Sequence, residues 1–162
     1  MNFLPWNVLL RKQSGNVTDL PHVFSDLVRA ETRLYNGVDA RLRNEHGLAA
    51  SQYLFLRAIN DMDKCRVNDL ARAIAITVGA VSKGVDRLEA AGWVSRRPNP
   101  ENRRSSLLEV TPAGRVKLEA ATVTFQDALE KWLDNPAIEQ LAASLAVLRG
   151  ELEAADVGRP IG

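Results

Sequence analysis

A chain of 162 residues, 46% of them hydrophobic and 25% charged, has the make-up of an ordinary folded protein with room for a core. That excludes a disordered tail, a collagen-like repeat and a disulfide scaffold. The formal net charge of +1 gives no general attraction to polyanions, and the single cysteine, Cys65, cannot close an internal disulfide, in keeping with a reducing compartment. The opening residues place their basic side chains after a brief apolar run broken by Pro5, unlike a secretory signal. No later segment approaches the roughly 18 apolar residues of a membrane span, so a soluble, cytoplasmic protein is expected.

Residues 1–17, with Phe3, Leu4, Trp6, Val8, Leu9 and Leu10, are too apolar for a free tail and read as an arm reaching across a partner subunit. From 18 to about 45, Leu20, Val23, Phe24, Leu27, Val28, Leu34, Tyr35, Val38 and Leu42 recur every three or four residues, the spacing of a long amphipathic helix, with Pro21 in its first turn and Gly47 at its end. Tyr53, Leu54, Leu56 and Ile59 predict a second helix, which stops at the polar break 61–64. A short third helix spans 67 to about 75, with Leu70, Ala71 and Ile74 on one face. A fourth starts near Thr77, whose hydroxyl can cap the first turn; it turns Val81, Val85 and Leu88 inward and closes at Gly92 in a left-handed cap.

Two helices separated by only a residue or two, then a glycine and a strand, are the pattern of a helix-turn-helix. Residues 93–97 alternate as a strand, Pro98 and Pro100 stop it, and 106–110 supply the partner strand after a seven-residue loop, which turns the motif into a winged helix. Thr111-Pro112 then signals the cap and first residue of a helix of roughly 22 residues carrying Val116, Leu118, Ala121, Phe125, Leu129, Trp132 and Leu133. A last helix, 137 to about 155, bears Ile138, Leu141, Leu145, Leu148 and Leu152. The expected fold is mainly α with a small β-wing. Residues 48–111 form the winged helix-turn-helix, 18–47 with 112–155 a helical dimerisation region, and 156–162 a tail. The long terminal helices have apolar faces that a second copy of the chain would cover, unless they wrap the same subunit.

Charge is unevenly placed. Between residues 77 and 104, Lys83, Arg87, Arg96, Arg97, Arg103 and Arg104 outnumber Asp86, Glu89 and Glu101 by three, and the rest of the chain is slightly acidic. Such a patch suits the phosphates of double-stranded DNA, or is simply a solvated basic face. With Val81, Val85 and Leu88 inward, Val78, Gly79, Ser82, Lys83, Asp86 and Arg87 face away. Ser82 and Lys83 are the leading candidates to meet bases, and Gly79 permits close backbone approach. Thr77 has one hydroxyl for capping or for a phosphate. Arg87 reaches either a phosphate or one of Asp86 and Glu89. Of Arg96 and Arg97, alternating on a strand, one should face phosphates and the other the protein, and Arg97 is taken as the outward one. The candidate DNA-binding set is therefore Thr77, Val78, Gly79, Ser82, Lys83, Arg87, Arg97, Arg103 and Arg104.

The run 85–114 resembles the MarR family of bacterial transcriptional regulators, and the likeness extends over about 24–152. It rests on Asp86-Arg87-Leu88-Glu89, the Gly92 turn, Asn102-Arg103-Arg104 where the family has Asp-x-Arg, and Val110-Thr111-Pro112-Ala113-Gly114 where it has Leu-Thr-x-x-Gly. Asn102 replaces an aspartate that steadies the wing arginines, and Val110 replaces a leucine. The resemblance implies a homodimer that reads a pseudo-palindromic operator, with Arg104 entering the minor groove, and that represses until a small aromatic or phenolic ligand arrives in a crevice between the dimer helices and the winged domain. Tyr35, Tyr53, Arg57 and His22 would line such a crevice or belong to the core. Some relatives sense oxidants through a cysteine; Cys65, between Lys64 and Arg66, raises that alternative. A winged-helix module binding protein instead of DNA is a further alternative. His22 and His46 lack metal-ligand spacing, and neither a phosphate loop nor a nucleophile elbow is present, so no enzyme, metal or cofactor is expected.

Overall fold

The computed structural model describes residues 19–102 and 104–158; the predicted arm 1–17, Arg103 and the last four residues of the predicted tail lie outside them. Helix α1 (Leu20–His46) opens on Asp19, whose carboxylate accepts the His22 N–H at 3.2 Å. Its stretch up to Arg33 belongs to a unit of its own, where Leu20, Val23, Phe24, Leu27 and Val28 are exposed and His22 pairs with Asp26 one turn on. The main unit begins at Leu34. Val38 and Leu42 are the residues of α1 buried there, and Gly47, at φ +62, ends the helix.

Helix α2 (Ala50–Asp61) is held at its start by acceptors outside its own backbone. Asp39 Oδ1 takes the Ala50 N–H at 2.8 Å and Gln52 Oε1 takes that of Ala49 at 2.9 Å. Helices α3 (Val67–Ala73) and α4 (Val78–Ala90) follow. The gap between them is four residues instead of the expected one or two, because Ala75 turns left-handed at φ +52 and Ile76 N–H then reaches back to Ala71 O at 3.2 Å. Val81, Val85 and Leu88 of α4 are fully buried, each worth about 1.5–3 kcal/mol of apolar burial. They meet Leu56, Leu70 and Val94 in one core. Gly92, at φ +74, closes α4: its own N–H bonds Glu89 O, and Trp93 N–H bonds Leu88 O, both at 2.9 Å.

Strands β1 (Val94–Pro98) and β2 (Ser106–Val110) pair antiparallel, Val94 opposite Val110 and Pro98 opposite Ser106. The first strand thus lies one residue later than its alternation suggests, and Pro98 closes it instead of standing beyond it. At a strand's last residue the missing N–H deprives no neighbour. Leu108 N–H donates to Cys65 O at 2.7 Å, tying the hairpin to the segment ahead of α3.

Thr111 joins three elements: its Oγ1 accepts the Gly114 N–H at 3.0 Å, capping α5 (Pro112–Leu133), and donates to Gly92 O at 2.7 Å behind α4. Tyr53 stacks on Phe125 of α5 at 4.4 Å. Helix α6 (Pro136–Ala154) is capped by Asn135 and buries no residue, leaving Leu141, Leu145, Leu148 and Leu152 exposed in one stripe. Among the described residues no helix is long and apolar enough to cross a membrane.

Candidate nucleic-acid interface

Helix α4 sorts its residues by period. With Val81, Val85 and Leu88 inward, Val78, Gly79, Ala80, Lys83, Asp86 and Arg87 are exposed, and Ser82 is half-buried. Thr77 is the N-cap, its Oγ1 accepting the Ala80 N–H at 3.2 Å, so capping occupies a lone pair that a second role would have to share. A groove of about 300 Å³ between α2 and α4 carries Lys83 and Arg87 on its wall. Gly84 lets the helices close there: a Cβ at that position would run into the Phe55 ring.

The acids of α4 do not pair with Arg87. Arg96 of β1 takes both, its Nη1 bonding Glu89 and its Nη2 bonding Asp86 at 2.6 Å. This two-handed contact fastens the wing to α4 and neutralises the carboxylates that would otherwise stand beside an approaching phosphate. Arg87 is left without a hydrogen bond or ion pair among the described residues, as are the side chains of Lys83 and Arg104. Arg97, on the other side of the strand, points outward and pairs across the hairpin with Glu109. Thus Arg96 is the arginine that faces the protein and Arg97 the one that faces out.

The hairpin tip is organised by two asparagines. Asn99 is 5% exposed; its Nδ2 donates to Ser105 Oγ at 2.9 Å and its Oδ1 accepts the Glu101 N–H at 3.0 Å. Asn102 Oδ1 accepts the Arg104 backbone N–H at 3.0 Å, so the amide shapes the turn without steadying a guanidinium by charge. Lys64 Nζ reaches Glu101 at 2.8 Å and holds that carboxyl below its usual range, so the lone acid of the tip is turned towards the α2–α3 connection. The Arg104 side chain stands exposed on this frame. Arg103 lies outside the described residues.

Asn99, the Lys64–Glu101 pair and the double grip of Arg96 are contributions that reasoning from sequence missed. Each joins residues distant along the chain, and only the Asn-Pro dipeptide offered a local turn signal for Asn99.

The thiol alternative fails on burial. Cys65 is 1% exposed, and desolvation, with a smaller push from the charge of Asp69, raises its pKa to about 11. The basic neighbours that were to lower it are engaged elsewhere, Lys64 with Glu101 and Arg66 with Asp69. At pH 8 roughly one thiol in a thousand is ionised. A thiol-reactive disulfide reagent should therefore leave Cys65 untouched in the native protein and label it on addition of denaturant; rapid native labelling would overturn this. Among the crevice candidates, Tyr53 is fully buried and belongs to the core, its hydroxyl within 3.2 Å of Thr122 Oγ1. Arg57 pairs with Asp61, and Tyr35 is partly exposed.

A short helix, a turn, a glycine-capped second helix and an arginine-bearing hairpin fastened to it define a winged helix-turn-helix protein. The profile of the MarR family matches residues 46–105. The HTH-type transcriptional regulator YdgJ of Bacillus subtilis is 28% identical over 102 residues, 63% of this chain and 62% of YdgJ, so the matched region spans about three fifths of that relative. Sco3205 of Streptomyces coelicolor, a MarR family transcriptional regulator solved in complex with DNA, is 25% identical with a TM-score of 0.73, covering 86% of this chain and 92% of its own. BpsR of Bordetella bronchiseptica, solved to explain regulation of its DNA binding by 6-hydroxynicotinic acid, is 26% identical with a TM-score of 0.68, covering 80% and 98%. Over its winged region, residues 46–105, the chain is thus similar to the MarR family of transcriptional regulators.

Proposed function

We propose that this protein is a homodimeric, cytoplasmic transcriptional repressor that binds a pseudo-palindromic operator and is released by a small aromatic or phenolic ligand. The observation that carries the reading is the set of cations on one winged domain, Lys83 and Arg87 on α4 and Arg104 on the wing, left without acidic partners while Arg96 absorbs the nearby acids. Such cations meet phosphates, and an exposed arginine at a wing tip suits a narrow minor groove. Thr77, Val78, Gly79, Ser82 and Lys83 would face the major groove, with Arg87, Arg97 and Arg103 towards the backbone. The exposed stripe of α6 and the exposed Val116, Val123 and Trp132 of α5 suit a helical dimer formed by 18–47 and 112–155. Two copies would set the α4 helices about 34 Å apart, one turn of B-DNA. The DNA complex of Sco3205 and the ligand control of BpsR support the DNA and ligand parts of the reading.

Sequencing of duplexes retained by the purified protein from a random library should return two inverted half-sites spaced by one helical turn. A panel of aromatic acids should release them. Recovery of no preferred duplex would sink the DNA reading, and release by none of the acids would sink the ligand. On the selected site, Arg104→Ala should cost on the order of 1–3 kcal/mol of binding. An unchanged titration would remove the minor-groove role.

A further inference from the structure

The exposed face of α4 contains one feature that neither folding nor phosphate binding explains. Val78 is 46% exposed, a branched apolar side chain among cations. Beside it, Gly79 is a helical glycine with an ordinary backbone, and a Cβ added there would meet nothing within 4 Å. The main unit's other glycines near this region have internal reasons: Gly84 clears Phe55, Gly114 clears Trp93, and Gly92 turns left-handed. Gly79, in the first turn of α4, has none, and even there glycine lowers helix stability relative to alanine. Its bare surface therefore matters to something outside the chain. Ala80, also exposed, keeps the surface low, while Ser82 and Lys83 stand one turn further on, at i+4 from Val78 and Gly79.

Resting on the DNA-binding reading above, we infer that Val78 and Gly79 determine specificity by reading thymine: Val78 packs on the thymine C5-methyl group, and Gly79 provides the clearance that brings the helix backbone close to the base edges. The methyl is the one apolar group displayed in the major groove, and it distinguishes thymine from every other base there. Hydrogen-bond donors cannot read it, and the Val78 side chain carries none. The positive surroundings of Lys83, Arg87 and Arg104 hold the duplex against this face, so the apolar contact is made within a phosphate-bound complex.

The experiment replaces each thymine of the library-selected half-site in turn by deoxyuridine, which removes only the methyl. At one thymine per half-site, affinity should fall about fourfold, the effect of one buried methyl group. Val78→Ala should weaken binding to the thymine duplex and be indifferent to that same uracil. Gly79→Ala should raise the melting temperature of the free protein yet lower affinity about tenfold or more, a combination that a merely structural glycine does not give. The inference is overturned if uracil is tolerated at every position, if Val78→Ala stays as sensitive to uracil as the unaltered protein, or if Gly79→Ala binds unchanged. These failures differ from failure of the DNA reading itself, in which the unaltered protein selects no duplex and both ideas fall together.

Discussion

Gly114→Ala should destabilise the protein by about 3 kcal/mol or more, the upper range for overpacking, because the added methyl has no soft neighbour to displace. Its Cβ would press on the Trp93 carbonyl oxygen and stand 2.9 Å from Val110 Cγ1. That carbonyl cannot retreat alone, since it accepts the Thr111 N–H at 3.0 Å while Trp93 N–H is bound to Leu88 O at 2.9 Å. The strain would therefore spread through the junction at which α4 ends, the wing starts and α5 is capped. For a protein of this size each kcal/mol lowers the melting temperature by roughly 2–4 °C, so a fall of about 6–12 °C is expected. Gly150→Ala, on exposed α6 where the methyl meets nothing within 4 Å, should instead leave stability unchanged or raise it by up to about 1 kcal/mol. Equal melting temperatures for the two variants would contradict the close approach of α5 to the wing.

That junction also shows what the amino-acid order reveals and what it hides. Thr77, Gly92 and the Thr111-Pro112 pair were legible because caps are local: a hydroxyl or a missing side chain acts on amides a few residues away. The inward triplet of α4 was legible because burial repeats with the helical period. Arg96 was not, since nothing along the chain says that a strand arginine will fold back onto Asp86 and Glu89, ten and seven residues earlier. Asp86 and Glu89 therefore looked available to Arg87, and the true set of free cations emerged only with the hairpin in place. Cys65 gave the opposite error. Its flanking Lys64 and Arg66 suggest a lowered pKa by adjacency, but adjacent side chains diverge, and these two turn to Glu101 and Asp69 while the thiol turns into the core. The gap before α4 was underestimated because Ala75 adopts a left-handed turn that a residue with a Cβ seldom advertises.

Operator binding should weaken about a thousandfold or more between 50 and 200 mM salt. Lys83, Arg87 and Arg104 are the cations of α4 and the wing tip without acidic partners among the described residues, and the proposed dimer would present each twice. These six unpaired charges alone give a slope of log affinity against log salt of roughly −5, because each displaces most of one condensed counterion, and Arg97 and Arg103 at the backbone would only steepen it. Lys83→Ala should then reduce the slope by about 2, one unit for each subunit. Arg96→Ala separates charge that meets DNA from charge that arranges it. Its guanidinium is already matched by Asp86 and Glu89, so removing it should lower affinity by exposing two carboxylates near the phosphates while leaving the salt slope close to its original value. If Arg96→Ala flattened the slope as Lys83→Ala does, Arg96 would itself be a phosphate contact and the division of labour on this face would be wrong. If the unaltered protein showed no salt dependence, the free cations would have no phosphates to meet.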